Sequence, residues 1–286
     1  MTKYKYKVKL KSVNRTGGFR LAKKQKTIYY RDELNDEFSS AVITPKKIDA
    51  DYRYVRDGFF ERAYAFFMYR IVAQPLSWLF LKIKFAHRIR NKKVLRGQKK
   101  PYFIYANHTS AAADPFVPTM VCSPKKVYVV VHAANVSMPV LGKINPYIGA
   151  LPLPDGIEAS KNFTAAMEKR LKQRRVICIY PEAHIWPYYT GIRPFTEASF
   201  RYPVRYDTPV YAFTNVYKKR KHLFTPKIIT YVDGPFFPDK TLPVPAARKK
   251  LRDQVYEAMC ARSKLSDYDG IIYKKADENQ EELNDD

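Results

Sequence analysis

The alternation of apolar and polar positions divides the chain into regions of different texture. Residues 4–11, YKYKVKLK, alternate strictly between apolar or aromatic side chains and lysine, which predicts a strand with one buried face. A turn signal, NRTGG (14–18), and a second apolar run, KTIYYR (26–31), follow. The periodicity then weakens as far as residue 57. We therefore predict that residues 1–57 form a basic β-hairpin followed by a loosely ordered arm.

Residues 58–98 are helical in character and rich in aromatic side chains. Their longest uncharged run, residues 71–81, is much shorter than the roughly 20 residues that a membrane-spanning helix needs. The segment predicts one helix kinked at Pro75, or two helices. Aromatic faces flanked by arginine and lysine fit a helix that lies in a membrane interface, and they fit an ordinary pair of core helices equally well.

Short β-branched and aromatic runs recur from residue 100 onward. They are PYFIYAN (101–107), KKVYVVVHA (125–133), RRVICIY (174–180), TPVYAFTN (208–215) and PKIITYVDG (226–234). Helical stretches at 156–173 and 246–263 lie between or after them, and in the second Leu251, Val255 and Met259 share one face. Strands that alternate with helices predict an α/β domain with a largely parallel, buried sheet over residues 99–265. An acidic tail, 266–286, is expected to follow.

Charge narrows the choice of partners. The chain has 52 basic and 27 acidic residues, a net charge of +25, and its last ten residues include six acids and no base. Such a surface favours nucleic acid, anionic lipid headgroups, phosphorylated substrates or an acidic carrier protein, unless it is simply a solvated basic surface. The three cysteines are widely spaced and read as free thiols in a reducing compartment, with no metal-binding spacing. The N-terminus has no apolar segment typical of a signal peptide.

The first candidate site is the stretch YANHTSAAADPFVP (105–118), which follows a predicted strand. A neutral imidazole at His108 could take a proton from an alcohol that attacks a carbonyl, and Asp114 could orient the ring. Small residues between them leave room for a substrate. If Asp114 opens a helix with proline in its first turn, the preceding loop can fold His108 back over it. A capped helix beside a structural histidine is the competing interpretation.

The second candidate site is YPEAHIWPYYTGIRPFTEASF (180–200), which follows another buried strand. Glu182 stands at the predicted end of that strand, where a carboxylate is rarely a filler of the core. Ligands of open α/β sheets gather at the carboxyl ends of the strands, and both sites fall at such ends.

Together these segments resemble the glycerolipid acyltransferases. The resemblance covers roughly residues 60–265 and consists of four blocks in the family's order: YANHTSAAADPF, MPVLGKINPYIGALPLP (138–154), IYPEAHIWP with IRPFTEASF, and TPVYAFTN. It implies an αβα sandwich around a mixed, mostly parallel sheet, preceded by membrane-surface helices. It also implies a lysophosphatidic acid acyltransferase type of reaction, in which a fatty acyl group passes from a thioester to 1-acylglycerol 3-phosphate and gives phosphatidic acid.

The resemblance assigns roles to named residues. His108 would be the general base and Asp114 would orient it, while backbone N–H groups would stabilise the oxyanion. Substrate binding would fall to the residues around the base and in the third block: Asn107, Thr109, Glu182, His184 and Arg193. Neither a metal nor a cofactor is expected, since the co-substrate would be acyl-coenzyme A or an acyl carrier protein.

Two departures from the family pattern leave the acceptor open. Five residues separate His108 from Asp114 where the family has four, and the third block reads Pro-Glu-Ala-His-Ile where the family has Pro-Glu-Gly-Thr-Arg. The arginine that would hold phosphate is therefore replaced by Ile185. Another lysolipid, an aminoacyl lipid or glycerol 3-phosphate remains an alternative acceptor.

The expected setting is the cytoplasmic face of a membrane, with the protein bound peripherally to an anionic surface. A basic nucleic-acid-binding protein is a distant alternative, because lysine and tyrosine could pair with phosphates and stack on bases. No nucleic-acid motif supports it and the basic residues are spread along the chain, so nucleic acid is not expected as a partner.

Overall fold

A seven-stranded sheet forms the centre of the molecule. The computed structural model describes residues 25–38, 43–221 and 223–276. The strands of the chain, in order, are β1 Lys26–Tyr30, β2 Arg88–Arg90, β3 Tyr102–Ala106, β4 Val127–Val131, β5 Ala150–Pro152, β6 Val176–Ile179, β7 Val210–Lys218, β8 Lys227–Phe236 and β9 Ile271–Lys275. The central sheet has the order β2-β8-β7-β3-β6-β4-β5, and β1 pairs with β9 in a separate two-stranded sheet.

The central sheet is mixed and mostly parallel. Strands β7, β3, β6, β4 and β5 run in one direction, whereas β8 is antiparallel to β7 and carries β2 parallel to itself. The parallel strands therefore end at one common edge, and the segments after β3 and β6 lie side by side there. This confirms the predicted fold class and brings the two candidate sites to the same edge.

Alternation along β3 explains why the sheet is covered on both faces. Phe103 and Tyr105 point into one core, while Tyr102, Ile104 and Ala106 point into the other. A strand whose two faces are both apolar is stable only between two layers, which is why β3 has no exposed residue.

Helices form the two outer layers. The helices are α1 Phe59–Phe66, α2 Gln74–Phe85, α3 Val117–Cys122, α4 Leu141–Ile148, α5 Ile157–Lys172, α6 Arg201–Arg205 and α7 Val244–Ser263. Helices α5 and α7 supply side chains to the core on one face, and α2 and α3 supply side chains to the core on the other. The stripe Leu251, Val255 and Met259 of α7 is buried, as its spacing predicts.

The aromatic segment before the sheet is helical only as far as Phe85. A π-helical segment, Phe67–Ala73, joins α1 to α2, and Pro75 follows it closely, as the second residue of α2. Residues 59–85 are thus helical without a break, and the π-helical segment ends just before Pro75. Residues Arg88–Arg90, which the helical pattern included, form strand β2 instead, because Ala86 ends α2 in the left-handed conformation. Within the described ranges, no helix combines the length and apolar character needed to cross a bilayer.

The predicted N-terminal hairpin lies partly outside the described residues. Residues 4–11 and 14–18 belong to the undescribed part, whereas the predicted returning strand is present as β1. In the described chain, β1 pairs in parallel with β9, and β9 falls within the region expected to be an acidic tail. Residues 271–275 carry apolar and basic side chains, so this portion packs as a strand, while the acids follow it.

Candidate active site

A histidine and an aspartate form a hydrogen-bonded pair just beyond the end of β3. His108 Nδ1 lies 2.9 Å from Asp114 Oδ2, and the aspartate side chain is 1% exposed whereas the histidine ring is 19% exposed. The same oxygen accepts hydrogen bonds from the backbone N–H groups of Thr109 at 3.0 Å and Ser110 at 2.9 Å. Because a carboxylate only accepts, Nδ1 donates and Nε2 is the nitrogen with a free lone pair. This is the arrangement of an oriented general base.

The loop between the two residues accommodates its five-residue length through a turn. Ser110 accepts backbone hydrogen bonds from Ala113 at 3.0 Å and from Asp114 at 2.9 Å. Ser110 Oγ accepts a further bond from the N–H of Ala113 at 3.1 Å. Asp114 does not itself open a helix. Helix α3 begins at Val117, because Asp114 is already committed to the loop, and Pro118 occupies the first helical turn.

Tyr180 supports the pair from the neighbouring strand. Its ring stacks on the imidazole of His108, with centroids 4.5 Å apart and planes at 27°. Its hydroxyl donates to the backbone carbonyl of Asp114 at 2.6 Å. Burial raises the pKa of this phenol well above its ordinary value, so the hydroxyl stays protonated and remains a donor. Nothing in the local sequence marks this residue as functional except its position directly before Pro181-Glu182 at a strand end.

Glu182 and Arg193 form a buried ion pair beneath the loop. Glu182 Oε2 lies 3.4 Å from Arg193 Nε, both side chains are 0% exposed, and the same oxygen accepts the backbone N–H of His108 at 3.4 Å. Glu182 Oε1 has no hydrogen-bond partner in the described part of the chain. Burial raises the pKa of Glu182 to about 7, since loss of hydration outweighs the attraction of Arg193 and His108.

Arg193 therefore has a different place from the one expected of a phosphate-binding residue. Its guanidinium donates to the backbone carbonyl of Glu182 at 3.1 Å, to that of His184, and to that of Glu33 at 3.3 Å. It also lies 5.0 Å from the ring centroid of Trp186. With no exposed surface, it stabilises the loop from inside.

Asn107 and Thr109, both predicted to bind substrate, are also internal. The Asn107 amide pairs with the backbone of Asn215, accepting from its N–H at 2.8 Å and donating to its carbonyl at 3.1 Å. The Asn107 side chain thereby makes, with the backbone of β7, the kind of hydrogen bonds that the backbone of β3 makes further back along the strand. Thr109 Oγ1 shares a 2.7 Å hydrogen bond with the hydroxyl of Tyr217. Both residues shape the His108 loop rather than its surface.

His184 lies at the surface under the N-terminal arm. Its Nδ1 is 3.2 Å from Glu37 Oε2, and both carboxylate oxygens of Glu37 are 3.2 Å from the backbone nitrogen of Ile185. Trp186 Nε1 donates to the carbonyl of Asp36 at 2.7 Å. An acidic segment of the chain, residues 32–37, thus covers the third block. The weak periodicity of this segment predicts no role for it.

No metal-binding cluster is found among the described residues, counting groups of three or more His, Cys, Asp or Glu side chains. Cys122 and Cys178 are buried free thiols, as expected, and Cys260 is half-buried and free.

Comparisons with known proteins agree with this geometry. A family model for acyltransferases matches residues 84–215, which include the His108–Asp114 pair and Glu182. The fold resembles the crystal structure of the 1-acyl-sn-glycerophosphate (LPA) acyltransferase PlsC from Thermotoga maritima, with a TM-score of 0.51 and 14% sequence identity over 72% of this chain and 95% of that one. No curated protein sequence matches the chain.

Proposed function

We propose that the protein transfers a fatty acyl group from an acyl thioester to a lysophospholipid hydroxyl, a function that the match of residues 84–215 to the family model for acyltransferases supports. The first acceptor to be tested is 1-acylglycerol 3-phosphate, which would give phosphatidic acid. The observation that carries the proposal is the 2.9 Å contact between a partly exposed imidazole and a buried carboxylate at the edge of the sheet.

The residues of this pair account for the proton transfers of the reaction. Nε2 of His108 takes the proton of the acceptor hydroxyl as its oxygen attacks the thioester carbonyl carbon. Asp114 stabilises the resulting imidazolium through Nδ1. The tetrahedral intermediate then collapses, the carbon–sulfur bond breaks, and the imidazolium returns the proton to the thiolate that leaves. An ester and a free thiol are formed, and His108 is neutral again.

The apolar surface of the helices near the His108–Asp114 pair suits a lipid substrate. Phe80 of α2 lies 5.5 Å, centroid to centroid, from Phe116, two residues after Asp114. The outer side of the helical segment is unusually apolar for a water-exposed surface. The exposed side chains that form this surface, here called the apolar helical face, are Phe59, Phe60, Phe66, Phe67, Ile71, Leu76, Trp78, Leu79 and Ile83.

We infer that the apolar helical face rests on an anionic membrane and that the protein is peripheral. Lys82 and Lys84 lie in the last turn of α2, and the basic run KKRK (218–221) begins at the last residue of β7. Arg220 of that run donates to the carbonyl of Lys84 at 2.5 Å, so the run lies beside the end of α2. Basic side chains that border an apolar face favour anionic headgroups. A cytoplasmic membrane surface is the corresponding location.

An acceptor that lacks a terminal phosphate is a second candidate. Ile185 replaces the family's arginine, Arg193 is fully buried, and the carboxylate of Glu37 already lies against the backbone nitrogen of Ile185. The first two features leave no exposed guanidinium to hold a phosphate at that position. A phosphate there would also be repelled by the carboxylate of Glu37. Other lysolipids and aminoacyl lipids therefore belong in the test.

The direct test is to offer the purified protein a panel of acceptors with acyl-coenzyme A and with acyl carrier protein as donors, and to identify the products by mass. We expect ester formation with at least one lysolipid, and its loss in His108→Ala. The same substitution at His132, which lies outside the site, serves as the matched control. Absence of product with every acceptor and both donors would contradict the proposal.

The membrane part of the proposal is tested separately with vesicles. Ile83 on the apolar helical face is 71% exposed, and Val244 on α7, in the opposite layer, is 60% exposed. Losing most of one buried aliphatic side chain costs roughly 1.5 kcal/mol, so Ile83→Ser should weaken binding to anionic vesicles about tenfold. Val244→Ser should leave it unchanged. Equal effects of the two substitutions would argue against docking through this face.

A further inference from the structure

We propose that His87, Thr230 and Asn215 form a buried hydrogen-bond chain that orients Asp114 and, through it, the base His108. The inference rests on the proposed function, because the group that is oriented is the base of the proposed reaction. These three residues are positioning residues, since none of them contacts the space beside the imidazole.

The chain of contacts is continuous from β2 to the active site. His87 Nε2 is 2.9 Å from Thr230 Oγ1, which is 2.6 Å from Asn215 Oδ1. Asn215 Nδ2 is 3.4 Å from Asp114 Oδ1. The other oxygen of Asp114 holds His108 Nδ1 at 2.9 Å. The carboxylate is therefore held at both oxygens, one by the active-site loop and one by this chain.

The negative charge of the carboxylate fixes the direction of every hydrogen bond in the chain. An ionised carboxylate only accepts, so Asn215 must turn its NH2 group toward Asp114 and its oxygen toward Thr230. The single hydroxyl hydrogen of Thr230 is then donated to Asn215, so that Thr230 must accept from His87. His87 thus carries its hydrogen on Nε2. A neutral ring fits this role, and burial, with a smaller contribution from Lys82, lowers the pKa of His87 to about 4.

The sheet provides a rigid frame for the chain. Asn215 of β7 and Thr230 of β8 are directly paired in the antiparallel register, which places both side chains on the same face of the sheet. His87 immediately precedes β2, which pairs with β8. All three residues are at least 96% buried, with exposures of 4% for His87, 3% for Asn215 and 0% for Thr230. Buried polar groups that are hydrogen-bonded to one another in this way specify one geometry.

Loss of the chain should therefore slow the reaction without weakening substrate binding. In Thr230→Val the shape is retained, but Asn215 Oδ1 loses its donor and His87 Nε2 loses its acceptor. The Asn215 amide is then free to turn, and Asp114 Oδ1 loses its oriented partner. A misoriented base affects the transition state more than the bound ground state, so we expect kcat to fall about tenfold with KM changed less than twofold.

The experiment compares three variants of the full-length protein. Thr230→Val removes the hydroxyl, and Thr230→Ser keeps it. Thr214→Val is the matched control, because Thr214 lies one residue from Asn215 on β7, is 0% exposed, and has a hydroxyl without a hydrogen-bond partner in the described part of the chain. Rates of acyl transfer are measured with the acceptor that the wild type uses. Proton–nitrogen correlation spectra of the histidine rings report the tautomer of His108.

The expected result is a fall in kcat for Thr230→Val and rates near wild type for Thr230→Ser and Thr214→Val. The Nδ1–H tautomer signal of His108 should weaken in Thr230→Val alone. A Thr230→Val enzyme with wild-type kcat would overturn the proposal. Equal losses in both valine variants would also overturn it, since they would report packing alone. If the wild type transfers no acyl group, the proposed function fails, and the tautomer signal still decides whether the chain orients His108.

Discussion

The buried carboxyl of Glu182 should make the protein less stable as the pH rises through the weakly acidic range. Burial raises the pKa of this group from 4.5 to about 7 in the folded protein. Between these two values the folded state keeps a proton that the unfolded state has released, so the free energy of unfolding falls with increasing pH. At about 1.4 kcal/mol per pH unit, the loss amounts to roughly 3 kcal/mol between pH 4.5 and pH 7.

Glu182→Gln isolates this contribution because glutamine stays neutral at every pH. Below pH 4.5 both proteins carry a neutral side chain beside Arg193, so their difference in unfolding free energy provides the baseline. We expect the variant to gain roughly 3 kcal/mol relative to the wild type as the pH rises to 7 and above. Urea denaturation at half-unit pH intervals measures the difference, and effects of other titrating groups cancel in it. Glu158→Gln, at an exposed carboxyl in the i,i+3 pair with Lys161, is the control and should give a flat difference.

A free energy of unfolding that rises with pH relative to Glu182→Gln would contradict this prediction. If attraction by Arg193, 3.4 Å away, outweighed the cost of burial, ionisation of Glu182 would stabilise the folded protein. The wild type would then gain on the variant as the pH rises. A flat difference would mean that water reaches Glu182 in the folded protein.

Three further results are expected at the site and its surroundings. Asp114→Asn should lower kcat by about three to four orders of magnitude, because it removes the negative charge that stabilises the imidazolium and fixes the tautomer of neutral His108. A loss below tenfold in steady-state assays would contradict this. Tyr180→Phe keeps the stack on His108 but removes the hydrogen bond to the Asp114 carbonyl, so urea denaturation should show a free energy of unfolding lower by about 1 kcal/mol. An unchanged stability would argue against that bond. Glu37→Ala removes the carboxylate that accepts from the N–H of Ile185, so amide hydrogen exchange in a peptide over 182–186 should become about tenfold faster. Unaltered exchange would show that residues 32–37 do not protect this block.

The sequence predicts the sheet and its common edge well because β3 and β6 are short apolar runs bounded by polar loops. Because successive side chains of a strand point to opposite faces, an unbroken apolar run must be buried on both faces. A parallel arrangement then brings residues 107–108 and 180–182 together. The family resemblance assigns the base and its partner, and their contact holds despite the additional residue in the loop. Helix boundaries are less well predicted. The sequence around Asp114 does not show that it is a loop residue. Its carboxylate is held there by hydrogen bonds from Thr109, Ser110 and Asn215, which form only when the chain is folded.

The interior role of Arg193 could not have been predicted, since nothing in its local sequence distinguishes a buried arginine from a ligand-binding one. Its burial follows from the backbone carbonyls of Glu33, Glu182 and His184, which converge on it from distant parts of the chain. The same limit applies to the pairing of β1 with β9, whose residues are more than 240 positions apart. Local periodicity identifies a strand but does not identify its partner.

The most direct test of the account is the rate of acyl transfer by His108→Ala compared with the wild type and His132→Ala, using purified proteins, anionic vesicles and the acceptor selected from the panel. With the base removed, ester formation by His108→Ala should fall below about 1% of the wild-type rate, while its vesicle binding and unfolding midpoint stay close to those of the wild type. His132→Ala should keep the wild-type rate. Substantial ester formation by a folded, membrane-bound His108→Ala protein would contradict the assignment of His108 as the catalytic base.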